Sequence, residues 1–167
     1  RAMRLRNDLT RLPDSAQPGI MPDTAHRRPQ PLRAAIVYDF DGTLARGNMQ
    51  ETSFIPALGM TPTQFWAETV KPETIKADGD DILMYMQLML KTAKDKGMAV
   101  TRTAFAEHGR DVLLFDGLLG DDNWFERINA FGAQYNLDID HYIISSGIKE
   151  MIEGCPICPQ FEHVFAS

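Results

Sequence analysis

The chain has 167 residues, 44% of them hydrophobic and 24% charged, with a formal net charge of −6. That length suits one ordinary domain, or a small core carrying an inserted subdomain, and excludes a second full domain. The composition is that of a soluble globular protein and excludes a coiled coil, a collagen and a disulfide scaffold.

The charge is unevenly spread. Residues 1–33 carry seven arginines and three aspartates, a net +4, which leaves −10 for the rest of the chain. An acidic body is a poor match for a nucleic-acid backbone, so no nucleic-acid partner is expected. The basic leader, residues 1–33, is rich in proline and polar residues without apolar periodicity and is expected to be disordered. Its single serine and three acids argue against a transit peptide. No secretory segment and no apolar stretch of about 18 residues occurs, so the expected location is cytoplasmic, with no membrane partner. The chain opens on Arg1 rather than Met, as a fragment or processed product would, and Met21 is a candidate start.

In chain order, the first ordered element is the apolar run Ala34-Ala35-Ile36-Val37-Tyr38, of the kind found in strands buried on both faces. It ends on Asp39-Phe40-Asp41-Gly42-Thr43. Next comes an all-helical stretch, residues 48–111. Thr61-Pro62-Thr63-Gln64 combines an N-cap, a proline at the first helical position and a capping-box glutamine, predicting a helix to about Val70, ahead of Lys71-Pro72. A second helix, from about Asp80 to Lys96, places Ile82, Met86, Met89, Leu90 and Ala93 on one face, a stripe suited to packing into a small core. A third is expected over Thr103 to Leu114. Lys71, Lys76 and Arg102 are candidates to contact an anionic substrate, although cations on a helical surface usually read as solvated, and His108 and His141 lack a ligand pattern.

Asn123-Trp124-Phe125-Glu126 has capping-box spacing, and Phe125, Ile128, Phe131 and Tyr135 follow at helical intervals, predicting a helix from about 123 to 135. A second strand-like run follows over His141 to Ile144, preceded by Leu137-Asp138-Ile139-Asp140, then Ser145-Ser146-Gly147, a short helix stopped by Gly154, and the start of a third strand at His163. Strand, helix, strand, helix, strand is the grammar of parallel α/β units, with the carboxyl ends of the strands on one rim. The fold class is therefore α/β, a Rossmann-like parallel-sheet core (34–47 and 112–167) with an inserted α-helical cap (48–111). Cys155 and Cys158 form a lone C-P-I-C without a second ligand pair and read as incidental thiols.

Ligands of open parallel sheets bind beyond the carboxyl ends of the strands, where Asp39 sits. A helix N-cap explains one aspartate there, but not two at i and i+2, whose side chains leave the same face of an extended strand end. Paired carboxylates favour a bound cation or a shared proton. Both suit phosphoryl transfer: one carboxylate attacks phosphorus while the other, protonated, supplies the departing alkoxide. A magnesium ion would neutralise the anionic groups around the phosphate. Gly42 permits a tight turn, and Thr43 offers a hydroxyl to fix the loop. Ser145 and Ser146, ahead of a helix N-terminus, suit phosphate binding.

Asp39-Phe40-Asp41-Gly42-Thr43-Leu44 resembles motif I, D-x-D-G-T-[LV], of the haloacid dehalogenase (HAD) superfamily, and Ile143-Ile144-Ser145-Ser146-Gly147 resembles its motif II. The helical insert is similar to the first-type cap of its phosphoserine-phosphatase-like branch. The resemblance implies a magnesium-dependent phosphomonoester hydrolase acting on a small phosphorylated metabolite. Asp39 would be nucleophile and metal ligand, Asp41 general acid, then base, with its backbone carbonyl on the metal. Ser145 would hold the phosphoryl oxygens, with Ser146 as its substitute, and Gly42, Thr43 and Gly147 would shape the phosphate loops. The lysine of motif III and the acidic pair of motif IV are not found before Ser167, so the chain reads as an N-terminal piece that holds magnesium weakly and is inactive or nearly so. A phosphomutase shares the same intermediate; a dehalogenase has no need for the acid at Asp41; a non-catalytic binding module is the alternative from a different class.

Overall fold

In the computed structural model, residues 30–167 are described. The reading of the leader as disordered falls on residues 1–29, outside the described residues. Three strands, β1 (Leu32–Tyr38), β2 (Leu137–Ile144) and β3 (His163–Phe165), form a parallel sheet in that order. Strand β1 starts two residues before Ala34, inside the expected leader, because Leu32 pairs with Leu137 and Arg33 with Asp138. The Arg33 guanidinium also bonds Asp140 at 2.6 Å.

The sheet is not buried on both faces. In register, Tyr38 lies beside Ile143 and Ile143 beside Val164, and this row faces the core. Tyr38 and His141 pack there against Phe125 of α5 (Trp124–Gln134) and, for Tyr38, against Phe161. On the opposite face Val37, Ile144 and Phe165 are 52%, 57% and 52% exposed. A continuous apolar run does not distinguish a strand covered twice from one covered once.

Helix α5 keeps its expected start: Asn123 caps it by accepting from the Glu126 N–H. Its stripe is only half used, with Phe125 buried but Phe131 and Tyr135 exposed. At Gly132 the missing Cβ lets the Ile139 side chain of β2 press against the helix backbone.

Between β1 and α5 lie α1 (Phe54–Ala57), α2 (Lys71–Ala77), α3 (Asp81–Asp95) and α4 (Arg102–Gly109). The capping box is reciprocal: Thr61 Oγ1 accepts from the Gln64 N–H, and Gln64 Oε1 from the Thr61 N–H. The helix it starts does not stop at Val70. A π-helical stretch, Gln64–Val70, runs directly into α2, with the Lys71 N–H donating to the Trp66 carbonyl five residues back. Pro72 then falls in the first turn of α2, where a missing N–H is tolerated.

Helix α3 is capped by Asp80, which accepts from the Leu83 N–H. It buries Tyr85, Met89 and Ala93, whereas Ile82 and Leu90 of the expected stripe are 38% and 45% exposed. Helix α4 ends at Gly109, five residues before the expected Leu114. It crosses α6 (Lys149–Gly154) at two glycines: a Cβ on Gly109 would meet the Met151 carbonyl, and one on Gly154 the Ala106 carbonyl. Helix α4, from the stretch expected to form the cap, is thereby packed directly on the core helix after β2. The buried core, with Phe40, Met49, Phe54, Phe65, Met89 and Met151 among its members, runs from the carboxyl rim of the sheet into these helices.

Candidate active site at the carboxyl rim of the sheet

Strand β1 ends at Tyr38, so Asp39 and Asp41 stand in the loop beyond it. Phe40 between them is fully buried, and its carbonyl accepts from the N–H groups of Thr43, Leu44 and Ala45. That one carbonyl winds the loop into a tight turn, which Gly42 permits at φ +75° and closes by donating to the Ala45 carbonyl. Anchoring Phe40 inward holds its two neighbours at the rim. Asp39 and Thr43 are exposed; Asp41 is half-buried.

Asp41 Oδ1 accepts the Met49 N–H at 2.8 Å. Its carboxyl is nevertheless raised from the ordinary 3.8 to about 6. Burial is the largest cause; the charges of Asp39 and Glu51 add to it, and the Met49 bond opposes it. A carboxyl in that range exchanges protons near neutrality, as a general acid and base requires.

Across the rim, Ser145 Oγ accepts the Gly147 N–H at 3.0 Å, and the Ser145 N–H donates to the Phe165 carbonyl. The Lys149 N–H donates to Ser167, so the backbone groups at Ser145, Gly147 and Lys149 are engaged within the chain. No serine caps α6; Ile148 stands at that position. Gly147 is buried against Met49, whose methyl group occupies the space a Cβ would need. Ser146 is exposed.

Asp41 and Ser146 line the same cavity, of about 560 Å³. Its far wall comes from the helical insert, with Trp66, Val70, Lys71 and Tyr85. Tyr85 donates to the Ser146 carbonyl at 3.1 Å, linking α3 to the loop after β2. Burial and the nearby Asp41 push its hydroxyl up to about 12, so it remains a donor. Glu51 Oε1 accepts from Trp66 Nε1 at 2.8 Å and from Asn48 Nδ2 at 2.7 Å, pinning the indole to the rim loop.

The structure therefore brings together Asp41 and Ser146, with Asp39 close enough to Asp41 to act on its charge. Lys71, read from sequence as solvated, stands in the cavity wall, whereas Lys76 pairs with Glu73 and Arg102 with Glu150. Gln50, Trp66 and Tyr85 were not legible as site residues. The available signal was weak: a cluster of polar side chains, Asn48, Gln50 and Glu51, within ten residues of the second aspartate.

Asp39 and Asp41 offer hard oxygen donors of the kind magnesium takes when bound through one or two carboxylates plus water and substrate phosphate. No group of three or more acidic, histidine or cysteine side chains fit to hold a metal occurs among the described residues. With two carboxylates in place, a magnesium ion bound here would have to take its remaining ligands from water and substrate. Among the described residues no helix is long and apolar enough to cross a membrane.

No protein-family profile matches the chain. An uncharacterized protein of Borreliella burgdorferi is 29% identical over 138 residues, covering 79% of this chain. The match takes in 48% of that relative, so the chain spans about half its length. Among solved structures, the HAD family hydrolase t0658 from Salmonella enterica subsp. enterica serovar Typhi aligns with a TM-score of 0.56 and 19% identity, over 83% of this chain and 41% of that one. That likeness establishes the fold: a Rossmann-like α/β core of the kind found in a HAD family hydrolase. The L-2-haloacid dehalogenase RSc1362 aligns at a TM-score of only 0.38 and 14% identity, over 81% of this chain and 64% of that one.

Proposed function

We propose that the protein is a magnesium-dependent phosphomonoester hydrolase that works through an aspartyl-phosphate on a small phosphorylated metabolite in the cytoplasm. The observation that carries this reading is Asp41: a half-buried carboxyl held near a pKa of 6, next to the exposed Asp39 and across one cavity from Ser146. A halide would leave without a proton; an alkoxide needs the one that Asp41 holds.

In the first step an Asp39 oxygen attacks phosphorus, the bond from phosphorus to the ester oxygen breaks, and the Asp41 proton passes to that oxygen. In the second, Asp41, now a carboxylate, takes a proton from water as the water oxygen attacks phosphorus. The Asp39–phosphorus bond then breaks, releasing inorganic phosphate and restoring both aspartates. Ser145 and Ser146 donate to the phosphoryl oxygens, and Gly42, Thr43 and Gly147 shape the loops that hold them. Asp39 and the Asp41 carbonyl would hold a magnesium ion, which would supply positive charge to offset the crowded anions.

The test is hydrolysis of an aryl phosphate by the full-length protein with and without magnesium, repeated with Asp39→Asn. Metal-dependent turnover that disappears in the variant supports the reading. Equal turnover by both proteins would remove Asp39 as the nucleophile.

A further inference from the structure

Gln50 is the feature of the cavity that the proposed chemistry leaves unexplained. It lies directly after Met49, whose N–H positions Asp41, and its side chain is 1% exposed while lining the same cavity as Asp41 and Ser146. Its Oε1 is the one buried side-chain oxygen or nitrogen among the described residues with no hydrogen-bond partner. An amide carbonyl has two lone pairs, and burying it unpaired is unfavourable, so such groups are rare in folded proteins. An orphan acceptor beside a reacting centre is explained if the substrate brings the donor.

The neighbours narrow what that substrate is. Trp66 is fixed by its bond to Glu51 and lies edge-on to Tyr85, their ring centroids 5.4 Å apart. With Val70 these rings make an apolar wall. Lys71 and Asp81 are the cavity's charged groups besides Asp41, one of each sign, so the wall does not favour a second anionic group on the ligand.

Resting on the phosphatase reading, we infer that Gln50 determines substrate specificity by accepting a hydrogen bond from a hydroxyl or amino group on an uncharged leaving group, whose apolar face lies against Trp66. The preferred substrates are phosphomonoesters of flat or cyclic alcohols bearing such a donor. Esters with a second phosphate or a carboxylate at that place are disfavoured, because neither group donates when ionised.

Phenyl phosphate and its ortho-, meta- and para-hydroxy derivatives share a ring and differ by one O–H donor. The full-length wild-type protein is expected to turn over at least one hydroxy isomer with kcat/KM about 10-fold or more above phenyl phosphate. Gln50→Leu is expected to bring that ratio close to one, and Gln50→Glu, which keeps an acceptor, to preserve a preference. If no isomer is preferred, or if the preference survives in Gln50→Leu, the assignment is wrong while the hydrolase reading stands. If no ester is hydrolysed, the hydrolase reading fails first. Calorimetric binding of the same four esters then decides: equal affinities overturn the role of Gln50, and a hydroxy preference lost in Gln50→Leu upholds it as a binding determinant.

Discussion

Replacing Asp41 with asparagine should stabilise the protein while abolishing its activity, with a pH dependence set by the site. Asparagine keeps an oxygen for the Met49 N–H but carries no charge into the half-buried position. The folded chain raises the Asp41 carboxyl from 3.8 to about 6, so it holds the proton more tightly than the unfolded chain does. Wild-type stability therefore falls as pH rises between those two values, and the loss is complete above the higher one. At about 1.4 kcal/mol per pH unit, the difference corresponds to about 3 kcal/mol, reduced to about 2 by partial exposure to water. Urea denaturation of wild type and Asp41→Asn near pH 4.5 and near pH 7.5 reads the effect, since other titrations cancel in the difference. The gap should be small at the lower pH and about 2 kcal/mol in favour of the variant at the higher. A gap that is the same at both pH values, or a variant less stable than wild type near pH 7.5, would refute the claim that burial raises this carboxyl.

Other consequences follow from the same geometry. The acid form of Asp41 is lost as pH rises through about 6, so kcat/KM for an alkyl phosphate should fall with a slope approaching −1 above that point, and a profile level through that range would count against Asp41 as the acid. Tyr85→Phe removes the bond to the Ser146 carbonyl and should lower stability by about 1 kcal/mol in denaturant titrations, with a raised KM. Gly109→Ala and Gly154→Ala each drive a methyl group into a carbonyl of the facing helix and should lower stability by about 2 kcal/mol or more. Neither glycine has positive φ, so a harmless substitution would show that the two helices can part without penalty.

Much of the scaffold was legible because its signals are local. Thr61-Pro62-Thr63-Gln64 and Asn123-Trp124-Phe125-Glu126 form the caps their spacing implies, since a cap is closed within four residues. The three strands and their parallel direction follow from apolar runs separated by helical periods. The π-helical passage into Pro72 was not legible, because a shift in hydrogen-bond register changes no residue pattern. Nor was the inward turn of Tyr85 and the exposure of Ile82 and Leu90, since a helix with apolar groups on several sides can bury more than one stripe. At the site, Asp39, Asp41, Ser145 and Ser146 stood out because strand ends and paired carboxylates are visible in one dimension. Gln50, Trp66, Lys71 and Tyr85 reach the cavity only through the packing of the helical insert over the rim, which no short-range signal encodes.

The central claim, that Asp39 takes the phosphoryl group, is tested most directly by a rapid-quench experiment with a phosphate-radiolabelled aryl ester in the presence of magnesium. The account predicts an acid-stable, base-labile label on a wild-type peptide containing Asp39, appearing with the first turnover and absent from Asp39→Asn. Hydrolysis by the wild type with no label bound to the protein during turnover, or a label undiminished in Asp39→Asn, would contradict it.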